Sequence, residues 1–268
     1  MRNYLLILFT LVLFSCSMNK EKELYEKAKT HFEKEEFSDA LMLLNTAIEN
    51  NKNNDSIYFL RAKTFFELND FNSALADYDN CIELNPKFYS AYYNRGITYG
   101  ELKDYQNEML NYNAYIKLMP NDVDGYINRG VLKGNLGDEL GEIADYNSAL
   151  KIDPKSGLAL HNRGSAYGRM QNFEKALQDF YAAKELGYED AEFYKNMGFT
   201  CDQLSNDSLA IVCYNKSLAL DAEYAPTYLA RGVLLCEQGK KLEGCADLSK
   251  AGELGEMEAY DLIQQFCK

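Results

Sequence analysis

The side chains that could carry out nucleophilic or acid–base chemistry are few in this chain of 268 residues. Of the two histidines, His31 and His161, neither belongs to a recognisable triad with an orienting partner. The sequence contains neither a phosphate-binding glycine loop nor an HExxH motif. The seven cysteines form no CxxC pair, which argues against a zinc site. We therefore expect no catalysis, no cofactor and no bound metal.

Six cysteines lie at or beyond position 81, and most of them occupy positions where helices are expected to pack. Buried cysteine behaves as a small apolar residue, so we predict that role for them. An exported protein could also form a disulfide, but the spacing leaves any pairing open. The six are Cys81, Cys201, Cys213, Cys236, Cys245 and Cys267.

The seventh cysteine, Cys16, follows a short apolar leader. Arg2 precedes 11 mostly apolar residues, 4–14, which is the form of a secretory signal. The run is too short to cross a bilayer, which needs about 20 apolar residues. The sequence Leu13-Phe14-Ser15-Cys16 resembles the lipobox of bacterial lipoproteins. That resemblance implies a signal peptide over 1–15, lipidation at Cys16, and an exported protein held on a membrane, with the outer membrane or the periplasmic face expected. An ordinary cleaved signal or an uncleaved short anchor is the alternative.

Arginine recurs together with a polar residue 16 positions later. Where the arginine is replaced by Met197, its counterpart is Cys213, so both charges are lost together. This joint change predicts that the two positions meet, and a guanidinium and a carboxylate can form two parallel hydrogen bonds. Binding of an anionic ligand is the alternative role for the arginines. The predicted pairs are Arg61–Asp77, Arg95–Asn111, Arg129–Asp145, Arg163–Asp179 and Arg231–Asp247.

The elements that must position these residues repeat every 34 residues without insertion or deletion. Small residues occur at Ala28, Ala62, Gly96, Gly130, Gly164, Gly198 and Gly232. Around them, apolar residues at i, i+4 and i+7 predict one amphipathic helix, and a second such stripe predicts another. A strict period of this length indicates one helical hairpin copied and stacked. The seven repeats are 21–54, 55–88, 89–122, 123–156, 157–190, 191–224 and 225–258.

Each repeat has an aromatic residue at position 4, Gly or Ala at 8, Tyr at 11, Ala at 20 and 27, an aromatic at 24 and Pro at 32, with exceptions. This pattern resembles the tetratricopeptide repeat (TPR). The resemblance implies an all-α TPR solenoid, a right-handed superhelix of seven helix–turn–helix repeats. Residues 16–20 would form a short tether, and 259–268 a C-terminal capping helix.

Repeats three and four depart from this pattern. Glu108 and Glu142 replace the small residue at position 20, and repeat four contains three additional glycines, which weaken helices. We therefore expect a looser or re-angled joint near residues 105–145.

Asparagine occupies position 6 of four successive repeats. A primary amide can donate and accept, which matches the backbone of an extended peptide. In TPR proteins this position tends to face the concave wall, and the row resembles the asparagine ladder of O-linked N-acetylglucosamine transferase. Solvated asparagines are the alternative. The predicted peptide-binding residues are Asn94, Asn128, Asn162 and Asn196, with Tyr93, His161 and Lys195 beside them.

The net charge of −13 argues against nucleic acid as a partner and favours basic or neutral ones. The sequence thus predicts a non-catalytic scaffold, anchored in the bacterial envelope by lipid, that binds a peptide or protein in its concave groove. The alternatives are an envelope lipoprotein that binds a glycan or nutrient and a soluble cytoplasmic TPR adaptor. Exposed rings at Tyr93, Tyr99 or Tyr167 would favour a glycan site.

Overall fold

The computed structural model describes residues 20–268, and these form helices joined by short turns, without a strand. The signal peptide, Cys16 and the tether up to residue 19 lie outside the described residues. The chain divides into two compact units between Gly125 and Tyr126. None of the helices in the described part has both the length and the apolar character needed to cross a membrane.

The N-terminal unit consists of three helical hairpins. Helix α1 covers 20–33 of the described residues, and the next five helices are α2 (Phe37–Asn50), α3 (Asp55–Glu67), α4 (Phe71–Leu84), α5 (Tyr89–Glu101) and α6 (Tyr105–Leu118). Helix α7 (Val123–Asn135) begins at the division between the units.

The C-terminal unit continues the same alternation of helices. After α7 come α8 (Glu139–Ile152), α9 (Gly157–Arg169), α10 (Phe173–Glu185), α11 (Ala191–Gln203), α12 (Asp207–Leu220), α13 (Ala225–Glu237), α14 (Lys241–Glu253) and α15 (Glu258–Phe266). The first helix of repeats two to seven therefore begins at position 1 of its repeat. The second helix of all seven repeats begins at position 17.

Side-chain caps lie at the start of four of the seven second helices, whereas α2, α10 and α14 begin without one. The carboxylates of Asp70, Asp104 and Asp138 each accept a hydrogen bond from the backbone N–H three residues later. Such a cap satisfies one of the N–H groups that an α-helix leaves unpaired at its start and stabilises the helix by about 1 kcal/mol.

Each hairpin turn contains one residue with left-handed backbone geometry at position 15. Two of the seven are Gly137 and Gly239, and the other five are Glu35, Asn69, Lys103, Gln171 and Ser205, with φ between 57° and 62°. For a residue with a Cβ, this conformation costs roughly 1–2 kcal/mol. The turn geometry is therefore imposed by the packing of the two helices it joins.

The core of the hairpins in repeats three to six forms where a glycine of the first helix faces an aromatic ring of the second, whereas Gly232 of repeat seven faces Leu248. A Cβ added to Gly130 would come within 2.7 Å of the ring of Tyr146, and one added to Gly198 would meet Tyr214 at the same distance. Both tyrosines are buried. The glycines therefore set how closely the two helix axes approach.

Glu142 is fitted into its hairpin. Its buried carboxylate accepts hydrogen bonds from Arg169 Nη2 at 2.5 and 2.6 Å and from the Tyr146 hydroxyl at 3.1 Å. Gly134 supplies the space, because a Cβ there would lie 2.6 Å from the Glu142 carboxyl carbon. Glu108 lies over Gly100 in the same way in repeat three. In these two hairpins, a glycine on the first helix leaves the space that the larger acidic side chain of the second helix occupies.

Three of the cysteines do not fill the predicted role of buried apolar residues: Cys236 is a partly exposed free thiol, and the other two form a disulfide. Cys245 of α14 and Cys267, just after α15, form a disulfide that joins residues 22 positions apart. The capping helix α15 spans Glu258–Phe266, so it ends before the chain does, and its Ala259 is buried. The disulfide thus attaches the chain end to α14. Cys81, Cys201 and Cys213 are buried free thiols.

Candidate peptide-binding groove

The arginines hold the two helices of a repeat together. Arg163 Nε and Nη2 donate to the two carboxylate oxygens of Asp179 at 2.8 and 2.7 Å. Burial of Asp179 to 5% exposure strengthens this pair, and its hydrogen bonds raise the pKa of Arg163. The same two-bond geometry joins Arg61 to Asp77, Arg129 to Asp145 and Arg231 to Asp247.

Arg61, Arg163 and Arg231 also have a third partner, which sequence reasoning missed. Arg163 Nη1 donates to Asn147 of the preceding repeat at 2.7 Å, and Arg231 Nη1 donates to Asn215 at 2.6 Å. In the N-terminal unit the corresponding bonds run from Arg61 to Asn45 and from Arg95 to Asp79, while Arg95 Nε donates to Asn111 at 2.8 Å.

Within each unit, these arginines thus connect successive hairpins as well as the two helices of one hairpin. A signal for this was present in the sequence. Where Met197 replaces the arginine, the residue at the third position is Tyr181 instead of a polar amide or acid.

The first helices of repeats five to seven line a groove of about 970 Å³ in the C-terminal unit. A volume of this size is typical of a ligand site. Its wall is partly apolar, since the Phe199 ring is 43% exposed and Leu229 and Val233 of α13 lie beside it. Glu258 and Leu262 of α15 also line this groove.

A smaller depression of about 410 Å³ lies toward repeat four. It shares Ser165, Arg169 and Glu192 with the larger groove and adds Val131 and Asn162. The two depressions together extend along the first helices of this unit.

Lys195 and Asn196 form a polar cluster in the larger groove. Lys195 Nζ donates to the Asn196 amide oxygen at 2.6 Å, which fixes the orientation of that amide. The Asn196 nitrogen then donates to Ser165 Oγ at 3.2 Å and to His161 Nε2 at 3.3 Å. Burial lowers the pKa of Lys195. Asn196 is therefore already bonded to its neighbours, whereas Lys195 lines the groove with two of its three donors left for a ligand.

His161 borders the smaller depression but is almost fully buried. Its ring is 4% exposed and lies among Tyr188, Phe180 and Phe193, with ring centres 5.2 to 6.0 Å away. Nδ1 lies 3.3 Å from the Tyr188 hydroxyl. Because Nε2 accepts from an amide, Nδ1 carries the proton, and burial lowers the pKa of His161 so that the neutral ring is favoured. His161 belongs to the core.

The other predicted groove residues have different surroundings. Asn94 donates to the carbonyl of Ser90 in its own helix at 2.8 Å. Tyr93 stacks at a tilt against Tyr115, with ring centres 5.0 Å apart. Both belong to the N-terminal unit. In the C-terminal unit, Asn128 is half-buried on α7 and Asn162 lines the smaller depression.

The tyrosines that would indicate a sugar platform are only partly accessible. Tyr93, Tyr99 and Tyr167 are all half-buried. Arg163 and Lys175 both lie over the Tyr167 ring, at 5.9 and 5.2 Å from its centre. These rings do not offer open flat faces of the kind that stack on a sugar.

Carboxylates outnumber cations around the larger groove. Glu192, Asp202, Glu237 and Glu258 line it, against Lys195 and Arg169. Arg169 already binds Glu142. Burial raises the pKa of Asp202, and the nearby charges of Glu237 and Asp207 raise it further. A bound cation would relieve this repulsion, so the groove is suited to a ligand with positive charge.

Comparison with known proteins agrees with this architecture. A family model described as TPR repeat matches residues 62–103, and one described as Tetratricopeptide repeat matches 89–122 and 158–186. No curated protein matches the sequence significantly.

Among solved structures, a tetratricopeptide repeat protein from Parabacteroides merdae is 19% identical, with a TM-score of 0.73 over 93% of this chain and 100% of the other. Cut9–Hcn1, described as an APC/C hetero-tetramer, is 16% identical, with a TM-score of 0.75 over 92% of this chain and 48% of the other. YrrB, described as a TPR protein with an unusual peptide-binding site, is 22% identical, with a TM-score of 0.56 over 70% of this chain and 97% of the other.

The hairpins and their 34-residue register define an α-helical repeat protein in which each repeat is a pair of helices joined by a short turn. Tetratricopeptide repeat models match residues 62–122 and 158–186, and the fold is that of tetratricopeptide repeat proteins.

Proposed function

We propose that this protein is a non-catalytic scaffold that holds an extended peptide, or an extended segment of a protein, in the groove of its C-terminal unit. The main support for this proposal is the groove of about 970 Å³ on the first helices of repeats five to seven. Phe199 offers an apolar contact there, and Lys195 offers hydrogen-bond donors. The likeness to YrrB, which is described as having a peptide-binding site, supports the same reading.

The charges of the groove define the ligand further. Its four carboxylates favour a peptide with lysine or arginine next to an apolar residue, because each acidic side chain gains a partner and Phe199 gains a contact. The net charge of −13 acts in the same direction.

Selection of peptides from a random library tests this proposal. The full chain is immobilised, the selected peptides are synthesised, and their affinity is measured for the parent, for Phe199→Asp and for Glu237→Lys. We expect basic, partly apolar peptides whose binding weakens at least tenfold in both variants. Val212→Asp is the matched control, because Val212 is exposed on the second helix of repeat six and should not affect binding. Equal losses in all three variants would contradict the placement of the site.

We also propose that Cys16 is acylated and holds the protein on an envelope membrane. The apolar leader and the sequence Leu13-Phe14-Ser15-Cys16 support this proposal. A single acyl chain binds a membrane only marginally, and two or more hold a protein stably. Metabolic labelling with a radioactive fatty acid should label the parent and leave Cys16→Ala unlabelled. Equal labelling of both would refute lipidation at this residue.

A further inference from the structure

A third cysteine lies next to the disulfide. The sulfur atoms of Cys236, Cys245 and Cys267 all lie within 4.8 Å of one another. Cys236 is in the last turn of α13, and its sulfur rests against Gly244, where an added Cβ would collide with it. All three cysteines are partly accessible to solvent.

We propose that this corner is a thiol–disulfide exchange site, at which Cys236 displaces Cys267 from Cys245. The thiolate sulfur of Cys236 forms a bond to the sulfur of Cys245 as the Cys245–Cys267 bond breaks. The electron pair of that bond leaves on Cys267, which becomes the free thiolate and takes up a proton from water. One disulfide replaces another, so the step consumes no oxidant and no reductant.

The two disulfides hold different elements together. The Cys245–Cys267 bond attaches the end of α15 to α14. A Cys236–Cys245 bond would lie inside the α13–α14 hairpin, which Arg231 and Asp247 already connect. Exchange therefore removes the covalent attachment of α15 and adds a connection where one already exists.

The position of α15 gives the exchange a consequence for binding. Glu258 and Leu262 of this helix line the larger groove. After exchange α15 is held by packing of Ala259 and by the hydrogen bond from the Tyr260 hydroxyl to the Gly252 carbonyl at 3.2 Å. The groove wall then becomes more mobile. This consequence rests on the proposed peptide-binding function, whereas the exchange itself does not.

The charges around Cys236 determine the rate. Only the thiolate attacks a disulfide. Burial raises the pKa of Cys236, the carboxylates of Glu237 and Asp247 raise it further, and Lys241 opposes them. Lys241 Nζ also donates to the backbone carbonyl of Lys268, beyond α15, at 2.8 Å. We therefore expect exchange to accelerate as the pH rises from neutral to alkaline.

Disulfide mapping of the full oxidised chain tests the exchange. The protein is incubated at mildly alkaline pH, quenched with acid, alkylated with N-ethylmaleimide and digested without reduction for mass spectrometry. We expect the label on Cys267 as well as on Cys236, together with a peptide that contains the Cys236–Cys245 disulfide. The buried Cys201 and Cys213 should stay unlabelled while the fold is intact. Label on Cys236 alone, with only the Cys245–Cys267 disulfide, would overturn the proposal.

Two variants, Cys267→Ser and Cys236→Ser, test the exchange independently of the proposed peptide binding. With oxidised glutathione, Cys267→Ser should form the Cys236–Cys245 disulfide, and the amides of 258–266 should exchange with deuterium faster than in Cys236→Ser. A folded Cys267→Ser that carries only glutathione adducts would also overturn the exchange. If Cys267→Ser binds a selected groove peptide as tightly as Cys236→Ser does, the link to the groove is refuted. Failure of the parent to bind any peptide refutes the proposed function instead.

Discussion

Arg163 and Asp179 of repeat five form an ion pair whose contribution to stability can be measured by substitution. Arg163→Met removes the partner of Asp179 and leaves a carboxylate that is 5% exposed without its cation. Breaking a buried ion pair in this way costs about 3–5 kcal/mol. Asp179→Leu leaves the guanidinium with 22% side-chain exposure and its bond to Asn147, so its cost is lower, about 2 kcal/mol.

The double variant should lose much less stability than the two single variants lose when their losses are added. It leaves no buried charge at these two positions and resembles repeat six, which has Met197 and Cys213 there, both buried. We expect a loss of about 2–3 kcal/mol for the double variant and therefore a coupling of about 3 kcal/mol between the two positions.

Equilibrium unfolding in urea, followed by circular dichroism, measures the free energies. Deuterium exchange of the amides in α9 and α10 accompanies it, because stacked repeats can unfold in parts. Lys155→Met is the control, since it removes an exposed cation elsewhere and should combine additively with Asp179→Leu. Additivity of Arg163→Met and Asp179→Leu within about 0.5 kcal/mol would refute the contact.

Three further predictions concern stability. Gly134→Ala should destabilise the protein by about 1–3 kcal/mol through collision with Glu142, and adding Glu142→Ala should recover most of the loss in urea unfolding. Gly168→Ala is its control, because the nearest atom would be 3.9 Å away, and it should be neutral or stabilising by up to about 1 kcal/mol. Burial lowers the pKa of His161 in the folded protein below its ordinary value of about 6.5. As the pH falls through about 6.5, the unfolded chain therefore binds more protons than the folded one. The free energy of unfolding then falls by up to about 1.4 kcal/mol per pH unit. In His161→Ile that share of the acid sensitivity should disappear from the melting temperature measured between pH 7 and 5, and an unchanged profile would show that His161 is not the group responsible. Lys103→Gly should raise stability by up to about 1 kcal/mol by removing left-handed strain in its turn, and a lower melting temperature would contradict this.

The hairpin register could be predicted because small and aromatic residues recur at fixed positions. The arginine–aspartate geometry followed from a single irregularity, the joint loss of both charges at Met197 and Cys213. The third partner has no signal within a single repeat, because Tyr181 and its counterparts Asn147 and Asn215 belong to the preceding repeat. The fit of Glu142 could not be predicted from position 20 alone, because the space for it comes from Gly134 on the facing helix.

Other features had no periodic signal. His161 occupies a position that is Lys195 in the next repeat, so its burial depends on the neighbouring rings of Tyr188 and Phe193. The disulfide joins a repeat to the chain end, where the 34-residue period no longer applies. These contacts come from packing between elements and could not be inferred from spacing.

The proposed ligand lies along the first helices of the C-terminal unit. Deuterium exchange of the full chain, with and without a selected basic peptide, locates the surface that the peptide covers. We expect slower exchange in α9, α11 and α13, and little change in α10, α12 and α14. Protection confined to the second helices, or unchanged exchange throughout at saturating peptide, would contradict it.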